Sequence, residues 1–378
     1  MKYVRMPIEI ESPEQMGYAN LKCNLTESSV TDARLQDLDL NLNELVICYG
    51  DHLGHPGLRQ LIAAESNAAG AGSGRLPMGP DDVLVTAGAA TALFIVATTL
   101  LDAGDSLVVM RPNYATNIAT PLAIGADVSF LELDFDEGWR IDLDKLDRLI
   151  TPRTRLLSIT TPHNPTGTTM SAEQLGKILE LVEARGCYLL CDETYREMAF
   201  DRPLPVAATL SASAISVSSL SKTYGLPGIR IGWLSTRDRA LQERFLAAKE
   251  QIMVTNSVVD EEIAYRFLKK KGRFLPATFQ MIRTHFGIVK EWMAQQPALE
   301  WVEPSGGVVC FPRIRYDSGV DVERFYKILN SQHGTFVGPG HWFEMERRYM
   351  RIGYGWPSSD ELRSGLANVS AALAASRP

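Results

Sequence analysis

Basic residues are in deficit: 38 Lys and Arg stand against 45 Asp and Glu, a formal net charge of −7. That balance leaves no broad electropositive surface, which argues against nucleic acid as a partner. Long apolar runs are missing too. No stretch reaches the ~18 uninterrupted apolar residues of a membrane span, and the opening MKYVRMPIEIESPEQMG carries acids where a secretory signal needs an apolar core. A cytoplasmic protein with no membrane partner is expected. The five cysteines include no C-x-x-C pair, and Cys187 and Cys191 fall in the apolar run GCYLLCD, where a thiol packs as a small hydrophobe. The six histidines stand at neither H-x-x-x-H nor H-x-x-E-H spacing, so no metal is expected.

What is present is globular material, 45% hydrophobic and 22% charged, which excludes a disordered or fibrous chain. At 378 residues it exceeds the usual reach of a single core, so two domains are expected, with a ligand where they meet. Between about 80 and 235 short β-rich runs (DDVLVTAG, SLVVMRP, ADVSFLEL, RLLSITTP, CYLLCDE, AISVSSLSK) alternate with helical periodicity. That alternation predicts an α/β fold, a mostly parallel sheet sandwiched by helices. One helix is fully punctuated: Ser171 and Gln174 form a capping box, Leu175, Ile178, Leu179 and Val182 one apolar stripe, and Gly186 the stop. Beyond 235 the pattern turns to long helices and then to a short α+β section, with Pro276 marking a helix start or a kink. The reading is a large domain over 41–275 and a smaller α+β domain built from 1–40 and 276–378.

The chemistry concentrates in SLSKTYGLPGIRIGW, where Lys222 lies three residues after Ser219 and eight before Arg230. TPHNPTG carries Asn164 on a Pro- and Gly-fixed loop, and CDETYREM puts Asp192 at the end of an apolar strand, with Tyr195 three residues on. A carboxylate there is costly unless it meets a cation. VTAGAATALF joins a strand to a helix start, so the backbone N–H groups of Gly88, Ala89 and Ala90 suit a phosphate. Asn164, Asp192 and Lys222 all fall at strand C-terminal ends, where α/β sheets bind ligands.

Together these motifs resemble the fold-type-I, pyridoxal 5′-phosphate (PLP)-dependent aminotransferases of class I/II, the aspartate aminotransferase superfamily. The resemblance covers roughly residues 40 to 375, in order. It implies that Lys222 carries the cofactor aldehyde as a Schiff base, that Asp192 pairs with the pyridine nitrogen, and that Asn164 and Tyr195 reach the phenolate oxygen. It also implies that Ser219, Arg230 and the 88–90 backbone hold the phosphate, that Tyr114 of MRPNYATN stacks on the ring, and that Lys222, Asp192 and Tyr195 form the catalytic set. In YGDHLGHPGLRQ, Tyr49 and Gly54 match the motif whose tyrosine reaches the neighbouring subunit's phosphate, which implies a homodimer. RYMRIGYG matches the strand whose arginine clamps the substrate carboxylate, so that task falls to Arg351, with Asn164 beside it.

The expected activity is transfer of an amino group between an amino acid and a 2-oxo acid. The alternative is a lyase, synthase or cyclase of amino-acid or specialised metabolism, since these motifs bind cofactor and carboxylate without fixing the outcome. One departure bears on this choice. Where the family often has a Gly-x-Pro loop over the substrate, this chain has CNLTESSV. Either Asn24, Glu27 or Ser28 reads a side chain there, or the segment is a capped helix start.

Overall fold

A computed structural model describes residues 1–18, 21–38, 40–69 and 76–377; 19–20, 39, 70–75 and 378, which the expected domain limits include, lie outside the described residues. Two short helices, Pro7–Glu11 and Pro13–Met16, precede strand β1 (Cys23–Leu25). Strands β2 (Val83–Thr86), β3 (Ser106–Arg111), β4 (Asp127–Glu132), β5 (Thr154–Thr160), β6 (Tyr188–Asp192), β7 (Ala214–Ser219) and β8 (Gly232–Thr236) form one sheet, ordered β2-β8-β7-β6-β5-β3-β4. The pairs β3–β4, β3–β5, β5–β6 and β6–β7 are parallel, while β8 runs antiparallel to both β2 and β7. Six strands therefore leave the sheet at one edge, and β8 enters it there.

Side-chain alternation explains why the sheet is covered on both faces. Val108, Leu157, Ile159, Leu189 and Cys191 join a core with Leu175, Ile178 and Val182 of helix Ala172–Arg185. Their neighbours Leu107, Val109, Leu156 and Leu190 join Leu93 and Val96 of helix Gly88–Leu100 and Phe245 of helix Arg239–Ile252. Successive residues point to opposite faces, so strands apolar at every position need helices on each side. This is the expected α/β layering. The helix at 172–185 keeps its predicted punctuation: the Ser171–Gln174 capping box forms, the four stripe residues are buried, and Gly186 ends it in the left-handed region at φ 66°.

A second sheet comes from distant parts of the chain. Strands β9 (Leu299–Glu300) and β11 (Arg313–Ile314) pair separately, while β10 (Val309–Cys310), β12 (Thr335–Pro339) and β13 (Met350–Gly353) join β1 in the order β1-β12-β13-β10. The β1–β12 pairing is parallel and carries Leu25 into a core with Ile282, Phe325, Val337, Met350 and Val369. Helix Leu275–Met293 takes Pro276 in its first turn, so that proline marks a start and not a kink. No helix starts in CNLTESSV. Its first residues are drawn into β1 because their burial on both faces and their pairing with β12 outweigh any cap, and 26–30 follow as a loop.

The loops after β3 and β5 are tied together by His163. Its Nε2–H donates to the Pro112 carbonyl at 2.9 Å, so the neutral ring accepts from the Thr166 hydroxyl at Nδ1, 2.8 Å away. Burial pushes the ring down to about 4, the Pro112 carbonyl only partly opposing it. An unfolded histidine titrates near ~6.5, so the unfolded chain takes the proton first; the contribution is complete above that pH and is withdrawn as pH falls toward 4. Chemical denaturation of wild type should lose about 2 kcal/mol more between pH 7 and pH 5 than His163→Gln does. Equal pH slopes in the two proteins would contradict this.

Candidate active site

Because six strands end where β8 begins, the residues just beyond them surround one space. A cavity of about 260 Å³ opens there, lined by Ala89, Ala90, Tyr114, Asn164, Asp192 and Tyr195, together with Ser219, Lys222, Arg230 and Arg351. With Glu27 and Ser28 from the loop after β1, which also line it, twelve residues singled out from the sequence meet in one place.

At one part of the cavity Arg230 lies against the start of helix 88–100. A Cβ built on Gly88 would stand 2.5 Å from an Arg230 guanidinium nitrogen, and Gly88 itself has φ +80°. Only glycine allows both the turn and the approach. Arg230 adopts φ 49°, uncommon for a non-glycine residue, and donates to the Pro227 carbonyl at 2.8 Å and the Ser221 hydroxyl at 3.4 Å. First-turn N–H groups of an α-helix have no partner inside the helix, so with Ser219, Ser221 and Arg230 they make a cradle for an anion.

Asp192 ends β6 only 5% exposed. Thr194 donates to its Oδ1 twice, from the backbone N at 3.1 Å and the hydroxyl at 2.7 Å, while Oδ2 takes no hydrogen bond among the described residues. Burial raises the carboxyl above its usual range against the opposing pull of Thr194 and Lys222. Lys222 is moved the other way. Burial lowers its amine, Glu27 holds it up, and Arg351 and Arg230 press it down further. The Tyr195 phenol is raised by burial, with Ser28 and Arg351 opposing.

Arg351, on β13, is 4% exposed and fixed by two bonds: to Asn164 Oδ1 at 3.0 Å and to the Thr26 carbonyl at 2.6 Å. Its Nε has no partner among the described residues. A buried guanidinium with an unused N–H suits a carboxylate. Tyr49 is not brought in: its side chain is 84% exposed and does not line the cavity.

Other lining residues were not singled out. Thr194 could have been, since a Thr two residues after Asp marks a side-chain turn. Ser221 sits between two chosen residues without a distinguishing signal. Trp342, and helices 7–11 and 13–16, line the cavity through Ile8, Glu9, Pro13 and Glu14. Nothing local in those stretches announces a site.

Comparison with known proteins agrees with this geometry. The family described as aminotransferase class I and II matches residues 19–368. The capreomycidine synthase of Streptomyces vinaceus is 30% identical over 369 residues, spanning 94% of this chain and 91% of that protein. The arginine–pyruvate transaminase AruH of Pseudomonas aeruginosa is 30% identical over 298 residues, spanning 78% and 74%. Among solved structures, a PLP-dependent aminotransferase from Streptococcus suis superposes with a TM-score of 0.90 at 26% identity, all of both chains being covered. An anion cradle, a free carboxylate oxygen and a lysine in one cavity are what PLP requires, and the chain belongs to the PLP-dependent aminotransferases of class I and II.

Proposed function

We propose that Lys222 is the residue that carries PLP and that the cavity passes an amino group from an amino acid to a 2-oxo acid. The observation that carries this reading is the convergence of Lys222, Asp192 and the Gly88–Arg230 cradle on one cavity. PLP, when bound, supplies a protonated ring that accepts the electron pair released at the substrate Cα. Asp192 keeps that ring nitrogen protonated through its free oxygen. Asn164 and Tyr195 hold the phenolate oxygen, and Tyr114 stacks on the ring. Ser219, Arg230 and the N–H groups of Gly88, Ala89 and Ala90 hold the phosphate.

Arg351 binds the substrate carboxylate, and its bond to Asn164 couples that grip to the cofactor side. With its amine free, Lys222 would serve as the general base for the substrate Cα proton and as the acid that returns it; the lowered amine suits that task, since an ammonium could not accept a proton. Tyr49 reaches the phosphate site of a second copy in a homodimer, a role supported by its exposure beside Val46 and Ile47, 71% and 73% exposed. Residues 41–275 form the large domain, and 1–40 with 276–378 the small one; the β1–β12 pairing supports that division.

A second reading is favoured by one observation, the 30% identity to capreomycidine synthase over 94% of this chain. On that reading a β-substituent leaves after the Cα proton, and the product is an elimination or cyclisation product. Incubating the holoenzyme with an amino-acid panel separates the two. Product formation that needs a 2-oxo acid supports transfer; ammonia or a cyclised product without one supports the second reading.

Lys222→Ala should abolish turnover and the visible absorbance of the bound cofactor, and a yellow, active variant would sink the assignment. Gly88→Ala should weaken PLP binding at least about tenfold, because the new methyl displaces the Arg230 guanidinium from its charge-assisted contact. Fluorescence titration with PLP measures this; an unchanged dissociation constant would move the phosphate site elsewhere.

A further inference from the structure

Once the cavity's cations are given their tasks, its charges do not balance. Lys222 goes to the cofactor aldehyde, Arg230 to the phosphate and Arg351 to the substrate carboxylate, and among the described residues these are the Lys and Arg that line the cavity. Asp192 is matched by the ring nitrogen. Three carboxylates from the N-terminal residues remain: Glu9, Glu14 and Glu27. Glu9 and Glu14 are exposed and water can serve them, whereas Glu27 is half-buried. The unmatched charge is therefore that of Glu27.

Glu27 is held in position. Its Oε1 accepts from the Tyr18 hydroxyl at 3.3 Å and the Asn24 amide at 3.5 Å, while Oε2 has no hydrogen bond among the described residues. Asn24 is itself anchored: its Oδ1 accepts from the Thr26 N–H and hydroxyl at 3.0 and 2.7 Å, and its backbone N–H donates to Glu361. Thr26, just before Glu27, gives its carbonyl to Arg351. Glu27 thus directly follows the residue whose carbonyl holds the Arg351 clamp. Burial raises the Glu27 carboxyl, and Lys222 is the first group to oppose that rise. In the roles proposed above Lys222 is either joined to the cofactor or a neutral base, so its positive charge is not free for Glu27, and a half-buried carboxylate is left to find another cation.

We infer that the substrate is an amino acid with a cationic side chain, a guanidinium or an ammonium, its carboxylate on Arg351 and its side-chain charge on Glu27. This rests on the cofactor and carboxylate roles proposed above, and it makes Glu27 the residue that selects the substrate.

Two matched pairs of ligands test it on the holoenzyme. L-Arginine and L-citrulline differ by the guanidinium charge, and L-lysine and L-norleucine by an ammonium in place of a methyl. Spectral titration of the bound cofactor gives each dissociation constant. The charged member of each pair is expected to bind at least about tenfold tighter, the size of one charge-assisted hydrogen bond. In Glu27→Gln, which keeps the shape and removes the charge, both ratios should fall below about twofold. Equal affinities within each pair in wild type, or ratios that survive in Glu27→Gln, overturn the inference. If norleucine, citrulline and alanine perturb the spectrum as strongly as lysine does, the cofactor reading stands and the cationic one falls. If no amino acid perturbs it, both fall.

Discussion

The site is organised around a carboxylate buried at the end of a strand. Asp192 stands paired in register with Thr160 on one side and Val217 on the other, in the middle of a seven-stranded sheet, 5% exposed and facing the cavity. Thr194 satisfies one oxygen, and the other, without a hydrogen bond among the described residues, is free for a cationic partner in the cavity. The sheet direction decides where that cation can come from. Six strands end at the same edge, so the loops after β2, β3, β5, β6 and β7 deliver Gly88, Tyr114, Asn164, Tyr195 and Lys222 to one space, and the reversed β8 brings in Arg230 as it begins. The fold concentrates charge where a buried acid requires it.

The same edge has a roof of different origin. Strand β1 is pinned to β12 and its following loop to Arg351 on β13, so chain from near residue 25 and chain from near residue 350 close over side chains carried by the sheet. The hydrogen bond between Arg351 and Asn164 joins roof to sheet. A ligand that engages both Glu27 and Arg351 must therefore satisfy residues more than 300 positions apart in sequence, and its shape is constrained by packing that neither motif encodes.

Much of this was legible in the sequence because strand ends and helix caps are local. Ser171, Gln174 and Gly186 announce a helix by themselves, and an apolar run ending in Asp192 announces a buried acid needing a partner. What was not legible depends on pairing between distant segments. CNLTESSV reads first as a capped helix start and second as a substrate loop, and only the pairing of Cys23–Leu25 with Thr335–Val337 decides for strand and loop. Trp342 and the two short N-terminal helices carry no local mark of the cavity they line. Arg230 was legible as a residue, but its left-handed backbone and its need for a glycine at 88 follow from the packing of β8 against the start of helix 88–100, where a Cβ on Gly232 would stand 2.6 Å from the Gly88 backbone.

Two lysines are pressed below their usual range by burial, Lys222 and Lys249, the latter down to about 8. Lowered basicity alone would make both nucleophiles. Lys249 is fully buried, donates to the His52 carbonyl at 2.6 Å and does not line the cavity, so its low amine has nothing to attack. Position within reach of the anion cradle and Asp192 sets Lys222 apart. Borohydride reduction of the holoenzyme followed by peptide mass mapping tests this most directly. The pyridoxyl-phosphate mass is expected on Lys222 alone; its appearance on Lys249 or any other lysine, or on none, would contradict the site described.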